Sequence, residues 1–289
     1  MNKKVGIVCC SNGQKTEYKR DIEKLGVILK KIGVTPIFSK YIYEIDSCFS
    51  GNASERAKTL MDFYQDDDIT AIYDISGGDI ANEILPYLDY DVIKASNKFF
   101  WGYSDLTTVI NALYAKTGCS SVLYQIKNLV WDKTGKQEEL YKKHVNTANE
   151  KDKLNKNALF DFEYDFVQGS SMSGIVIGGN IRCFLKLAGT EYFPDVTDKI
   201  LLLEAMSGET PQMVTYLNQL KQIGVFDKLN GILLGTFIAM EGENCKPDII
   251  ELVKRYAGDM LPIAKTPEIG HRSNSKAIFI GEYKCFEKH

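Results

Sequence analysis

The chain has 289 residues, with 35 Lys and Arg against 38 Asp and Glu and a formal charge of −3. Hydrophobic residues make up 44% and charged residues 25%, globular values that exclude a disordered or collagen-like chain, and the length suits one large or two modest domains. No basic cluster offers a footprint for nucleic acid or anionic lipid, and no apolar run approaches the ~18 residues of a membrane span, so neither partner is expected.

At the start, MNKKVGIVCC has too short an apolar stretch before Ser11 and Asn12 for a secretory leader, so a cytoplasmic protein is expected. Residues 4–10, KVGIVCC, read as a buried strand that breaks at Ser11-Asn12-Gly13. Apolar residues at helical spacing between Glu17 and Lys31 (Ile22, Leu25, Ile28, Leu29) predict a helix stopped by Gly33, and VTPIF predicts a second strand. The alternation continues with a helix over Ser54–Gln65, the strand ITAIYDIS, a short helix over Asn82–Leu88, the strand FFWGYS and a helix over Leu106–Lys116. Strands and helices in this order predict a parallel sheet covered on both faces.

Between Lys133 and Asp165 the chain becomes dense in charge and Asn and poor in large aliphatics, which marks a boundary. Beyond it GIVIGGN, KILLLEAM, GILLGTF and AIFIGE predict strands, and IRCFLKLAG and Pro211–Ile223 predict helices. The expected organisation is an N-terminal α/β domain over 1–132, a charged linker over 133–166 and a C-terminal domain over 167–289. Seven cysteines (Cys9, Cys10, Cys48, Cys119, Cys183, Cys245, Cys285) are scattered, with no C-x-x-C pair, and read as free thiols. No metal site and no cofactor fingerprint is expected.

The most informative stretch is Phe99-Phe100-Trp101-Gly102-Tyr103-Ser104-Asp105, followed at once by a helical pattern. An apolar strand that ends in Gly-Tyr-Ser-Asp and turns into a helix is the arrangement of a nucleophile elbow, with the helix N-terminus aimed at a developing oxyanion. The second glycine of G-x-S-x-G is missing, so a helix cap by Ser104 or Asp105 is the competing reading. A serine nucleophile needs a base, and the chain has three histidines. His289 is terminal and His144 lies in the charged stretch, which leaves His271, in the loop PEIGHRSNSK, as the candidate base. Glu204, at the end of the Leu-rich strand KILLLEAM, is either a surface glutamate on a turn or a carboxylate turned toward a site, where it could orient that imidazole, with Glu209 as its competitor. Ser76-Gly77-Gly78-Asp79 follows a strand, and its paired glycines either form a plain turn or present a free N–H to an oxyanion. Trp131 reads as an aromatic platform for a nucleobase or as a buried or interface tryptophan.

Taken together, SGGDIANEILPYLDYDVIK, GYSDLTTVINALYAKTG, GGNIRCFLKLAGTEYFPDVTDKILLLEA, KQIGVFDKLNGILLGTF and the late Gly270-His271 resemble the LD-carboxypeptidase family of serine peptidases. The likeness runs from about Val5 to Gly281, apart from the linker, and is closer to the family's microcin C self-immunity branch. Murein-cleaving members carry Arg-Gly-Gly-Tyr-Gly where this chain has Ser76-Gly77-Gly78-Asp79-Ile80, whereas Asn180 and GTEYFPD match the immunity branch.

The resemblance implies an α/β fold with an N-terminal flavodoxin-like, class I amidotransferase-like parallel sheet domain and a smaller C-terminal α/β domain of swivelling β/β/α type. It implies a catalytic triad of Ser104, Glu204 and His271 and an oxyanion hole from the backbone of Gly78 and Asp105. Gly77, Asp79 and Trp131 are then assigned to substrate contact. It further implies a cytoplasmic homodimer without cofactor that cleaves an amide next to a free carboxylate, in a peptidyl-nucleotide or an L,D-linked murein peptide. A non-catalytic sensor of murein fragments or nucleotides on the same scaffold is the reading from another class, against which the complete Ser, Glu and His set argues.

Overall fold

The computed structural model describes residues 3–147 and 157–288. Its first half runs through β1 (Lys3–Val8), α1 (Lys19–Lys31), β2 (Val34–Phe38), α2 (Ala53–Gln65), β3 (Ile69–Asp74), α3 (Tyr90–Ala95), β4 (Phe99–Gly102), α4 (Thr107–Thr117), β5 (Ser121–Leu123), α5 (Asn128–Trp131) and α6 (Lys136–Thr147). The second half runs through β6 (Asp165–Gln168), β7 (Ser171–Asn180), α7 (Ile181–Leu185), β8 (Lys199–Ala205), α8 (Thr210–Gln222), β9 (Gly231–Phe237), α9 (Ile238–Gly242), α10 (Ile249–Ala257), β10 (Ile263–Lys265), β11 (Ile278–Ile280) and β12 (Tyr283–Glu287). Single 3-10 segments at Thr16–Tyr18, Ala81–Tyr87 and Ser104–Leu106 complete the description.

Two α/β domains result, each built on a six-stranded sheet, in the orders β11-β5-β4-β3-β1-β2 and β12-β7-β8-β9-β10-β6. In the first, β2, β1, β3, β4 and β5 are parallel. In the second, the parallel strands β7 to β10 lie between the antiparallel edges β12 and β6. The inner strands bury both faces, which is why they read as continuous Val, Ile and Leu. Helices cover the sheets through apolar stripes such as Ile22, Leu25, Ile28 and Leu29 of α1. A capping box starts α2, in which Asn52 Oδ1 accepts from Glu55 N at 2.9 Å and Glu55 Oε2 accepts from Asn52 N at 2.9 Å.

Two expectations change. Strand β11 does not belong to the second sheet: it pairs antiparallel with β5 and closes the first sheet, so a boundary at 166/167 does not separate the two sheets. The physical reason is burial, since Ile278, Phe279 and Ile280 are all buried and cover an edge that β5 would otherwise expose. The charged stretch 133–166 is also more than a linker. Helix α6 buries Leu140, Tyr141 and His144, and Leu159 and Phe160 join the same core, while residues 148–156 lie outside the described residues.

Helix α4 joins the two domains and is buried on nearly every side. Asn111 Nδ2 donates to Gly178 O at 2.9 Å and Asn111 Oδ1 accepts from Gly178 N at 2.8 Å. Thr107 Oγ1 accepts from Asn180 N at 3.0 Å, and Thr108 Oγ1 donates to Cys183 O at 3.0 Å. These bonds pin the carboxyl end of β7 to the start of α4. The turn that precedes α4 therefore faces the carboxyl ends of β7 and β8, where crevices form in parallel sheets.

Candidate active site

Ser104 sits at the junction of β4 and α4 with φ of +56°, in the left-handed region that a non-glycine residue occupies only when its surroundings hold it there. The preceding Tyr103 is extended, and the 3-10 turn Ser104–Leu106 leads directly into α4. This is the geometry of an elbow rather than of a cap, since the cap positions fall on Tyr103 and Leu106 and neither side chain caps a helix N–H among the described residues. Gly77 lies against it: a methyl group placed on Gly77 would stand 3.7 Å from Ser104 Oγ.

Glu204 and His271 come together from the second domain. Glu204 occupies the end of β8, paired in register with Asn180 of β7, and its side chain is fully buried. His271 Nδ1 lies 2.5 Å from Glu204 Oε2. The histidine loop is held by Thr236 N donating to Ile269 O at 2.8 Å. It comes that close only because β9 has a glycine there, as a Cβ on Gly235 would stand 2.4 Å from Ile269 O and 3.1 Å from Glu204 Cβ. A proton on Nδ1 shared with the carboxylate leaves Nε2 with its lone pair, and Nε2 is buried with no hydrogen-bond partner among the described residues. The imidazole also packs on the ring of Tyr103, centroid to centroid 4.3 Å, which places it beside the elbow.

A cleft of about 190 Å³ opens over Ser104, lined by Gly78, Asp79, Asn180, Arg182 and Tyr216 among others. The N–H groups of Gly77, Gly78 and Asp105 make no hydrogen bond among the described residues, so they are available to an oxyanion. The Asp105 side chain faces the other way and is fully buried. Its Oδ2 accepts from Ser11 Oγ at 2.7 Å and from Ala81 N at 2.9 Å, and its Oδ1 accepts from Lys186 Nζ at 2.5 Å. Asp105 thus ties the elbow to three other segments. Asp79 pairs with Arg182, which together with nearby Lys186 holds its carboxyl below the ordinary range.

Of the residues singled out from sequence, the structure brings Ser104, Gly77, Gly78, Asp79 and Asp105 to one place, with Glu204 and His271 adjoining. Trp131 is not among them: it lies at the end of α5, does not line this cleft, and has Lys127 Nζ 4.8 Å above its ring. Sequence reasoning missed Arg182, Lys186 and Asn12. The i, i+4 spacing of Arg182 and Lys186 directly after GGN was the available signal. Arg182 Nη2 donates to Gly78 O at 3.0 Å and Lys186 Nζ to Asp79 O at 2.8 Å, so α7 reaches across the domain boundary to the turn.

Comparison with known proteins gives the family and the fold. Residues 5–124 match the model of the LD-carboxypeptidase N-terminal domain and residues 173–284 that of the LD-carboxypeptidase C-terminal domain. A protein of Treponema pallidum (strain Nichols) named as a carboxypeptidase is 26% identical over 279 residues, 90% of this chain and 82% of its own. The microcin C7 self-immunity protein MccF of Escherichia coli is 29% identical over 247 residues, 76% of this chain and 70% of its own. The structure of MccF in complex with glutamyl sulfamoyl guanosine superposes with a TM-score of 0.86 at 23% identity, covering 98% of this chain and 92% of that one. Among the described residues no helix is long and apolar enough to cross a membrane.

Proposed function

The chain belongs to the LD-carboxypeptidase family of serine peptidases, and on that premise we propose that it hydrolyses an amide next to a free carboxylate through Ser104, Glu204 and His271. The observation that carries the reading is the His271–Glu204 contact at 2.5 Å, set beside a serine held at positive φ. Ser104 Oγ attacks the scissile carbonyl carbon while its proton passes to His271 Nε2. Glu204 holds the ring by Nδ1 and stabilises the imidazolium. The oxyanion accepts from the N–H groups of Gly78 and Asp105, and its collapse expels the amine, which takes the proton from Nε2. A water then repeats the sequence on the acyl-enzyme. The Ser104–His271 hydrogen bond closes when substrate fills the cleft.

Arg182, the guanidinium among the cleft-lining residues, is the group we assign to the substrate carboxylate. It bears on the choice of substrate. The turn at 76–79 lacks an arginine, a departure that favours a peptidyl-nucleotide over a murein peptide, but Arg182 brings a guanidinium to that same turn from α7. The MccF relative and the solved MccF complex with a glutamyl sulfamoyl nucleoside support the peptidyl-nucleotide substrate, and an L,D-linked murein tetrapeptide is the comparison. The same reading includes a homodimer in the cytoplasm, which sedimentation and fractionation would test. The deciding experiment is labelling with a fluorophosphonate and mapping of the labelled peptide. Adduct on Ser104 that disappears in His271→Ala supports the triad. Absence of adduct in folded protein overturns it.

A further inference from the structure

We infer that Asn12, in the loop after β1, is the positioning residue that aims the Gly78 N–H into the cleft. This rests on the oxyanion role proposed above. A trans peptide points its C=O and N–H in opposite directions, so fixing one fixes the other. The Gly77–Gly78 peptide has its carbonyl held by Asn12, whose backbone N donates to Gly77 O at 3.1 Å. The Gly78 N–H is thereby directed away from the 11–13 loop. The next peptide is held in the opposite sense: Asp79 N donates to Asn12 Oδ1 at 2.9 Å, and Gly78 O, on the far side, accepts from Arg182. Both groups of Gly78 therefore face away from Asn12, and both Gly78 and Arg182 line the cleft over Ser104.

This alternation requires Gly78 at φ of +118°, and the space where its Cβ would stand is taken by the Asn12 amide, 2.2 Å from Asn12 Cγ. The loop that carries Asn12 is itself referenced to the elbow. Ser11 N donates to Ser76 Oγ at 2.9 Å and Ser11 Oγ to Asp105 Oδ2 at 2.7 Å, so one loop sets both oxyanion donors relative to each other. Asn12 lines no part of the cleft and acts through the Gly78 backbone alone.

The test uses the full chain as wild type, Asn12→Ala, Asn12→Ser and Asn12→Asp, on whichever of the two substrates the wild type cleaves. All variants keep the residue-12 N–H on Gly77 O and differ only at the side-chain bond that holds the Gly78–Asp79 peptide. With that peptide released and the Gly78 N–H no longer held in aim, Asn12→Ala and the shorter Asn12→Ser are expected to lose about 10- to 100-fold in kcat with KM within about twofold, because the donor acts on the transition state. Affinity for a boronate mimic of the tetrahedral intermediate should fall by the same factor. Asn12→Asp, which keeps the Oδ1 acceptor, should recover most of the kcat. Unchanged kcat in folded Asn12→Ser, a rise in KM alone, or no recovery in Asn12→Asp overturns the inference while leaving the triad standing. A wild type that neither cleaves nor labels at Ser104 overturns both.

Discussion

The side-chain amide of Asn111 on α4 meets the peptide of Gly178 on β7 as a neighbouring strand would, giving one hydrogen bond and receiving another. Through it the helix that begins at the elbow is locked to the strand that ends beside Glu204. Asn111→Leu leaves the Gly178 N–H and C=O buried without partners, at a cost of about 1–3 kcal/mol each before relaxation. A drop of several degrees in Tm is expected, together with lower kcat as Ser104 and His271 lose registration. Urea unfolding and turnover of the same variant check the two effects, and loss of stability without loss of kcat would uncouple them.

Glu204→Gln keeps the shape of the side chain but gives up the anion that orients His271. The expected result is a fall in kcat of about 10³- to 10⁴-fold with KM little changed, by the logic of a triad whose base is held in the wrong tautomer. Stability should not collapse, because Glu204 Oε1 is buried without a hydrogen-bond partner among the described residues and the amide relieves a buried charge. Steady-state kinetics with a thermal melt distinguish this from simple misfolding.

Replacing Arg182 by Gln should raise KM about 10- to 100-fold for substrates with a free carboxylate, the worth of a charged hydrogen-bonding contact. Amide-capped analogues, slow in the wild type, should be unaffected. Equal effects on acid and amide substrates would place Arg182 in support of the Gly78 turn only.

Burial beneath the first sheet holds the His144 pKa down to about 4, against an ordinary value of 6.5. The imidazole is neutral in the fold, so between those values the unfolded chain binds the extra proton. Its contribution to stability is complete above about pH 6.5 and is lost as pH falls toward 4, a change of ~3 kcal/mol. Urea midpoints at pH 7.5 and 4.5 should differ less in His144→Phe than in wild type, and an identical pH slope in both would refute this account.

Most of the parallel framework was legible because inner strands bury both faces and so appear as aliphatic runs such as ILLLEA and GILLGTF. The elbow was legible too, since strand, turn and helix are contiguous there. What local pattern left open was pairing at a distance. Glu204 and His271 are 67 residues apart; the strand-end position suggested the pairing but left Glu209 as a competitor, and resemblance to a family made the choice. Strand β11 has the same apolar signature whichever sheet it joins. Helix α6 hides a buried face among charges, because it covers its part of the first sheet with Leu140, Tyr141 and His144, the two rings packing on Tyr73 and Trp101 of the inner strands. Arg182 was overlooked because its i, i+4 spacing to Lys186, on a one-turn helix, does not say what the two cations meet until the facing turn is known.

Strand β11 has a consequence for the order in which this chain matures. During synthesis the first five strands can assemble as soon as they emerge, yet their sheet keeps a raw edge at β5 while ~150 further residues are added, roughly ten seconds or more at cellular rates. Over that interval Val122 and Leu123 offer open backbone to any passing strand. The sheet that carries Ser104 is thus completed by the segment that directly follows the histidine loop, so closing the edge and bringing His271 beside the elbow belong to a single late event.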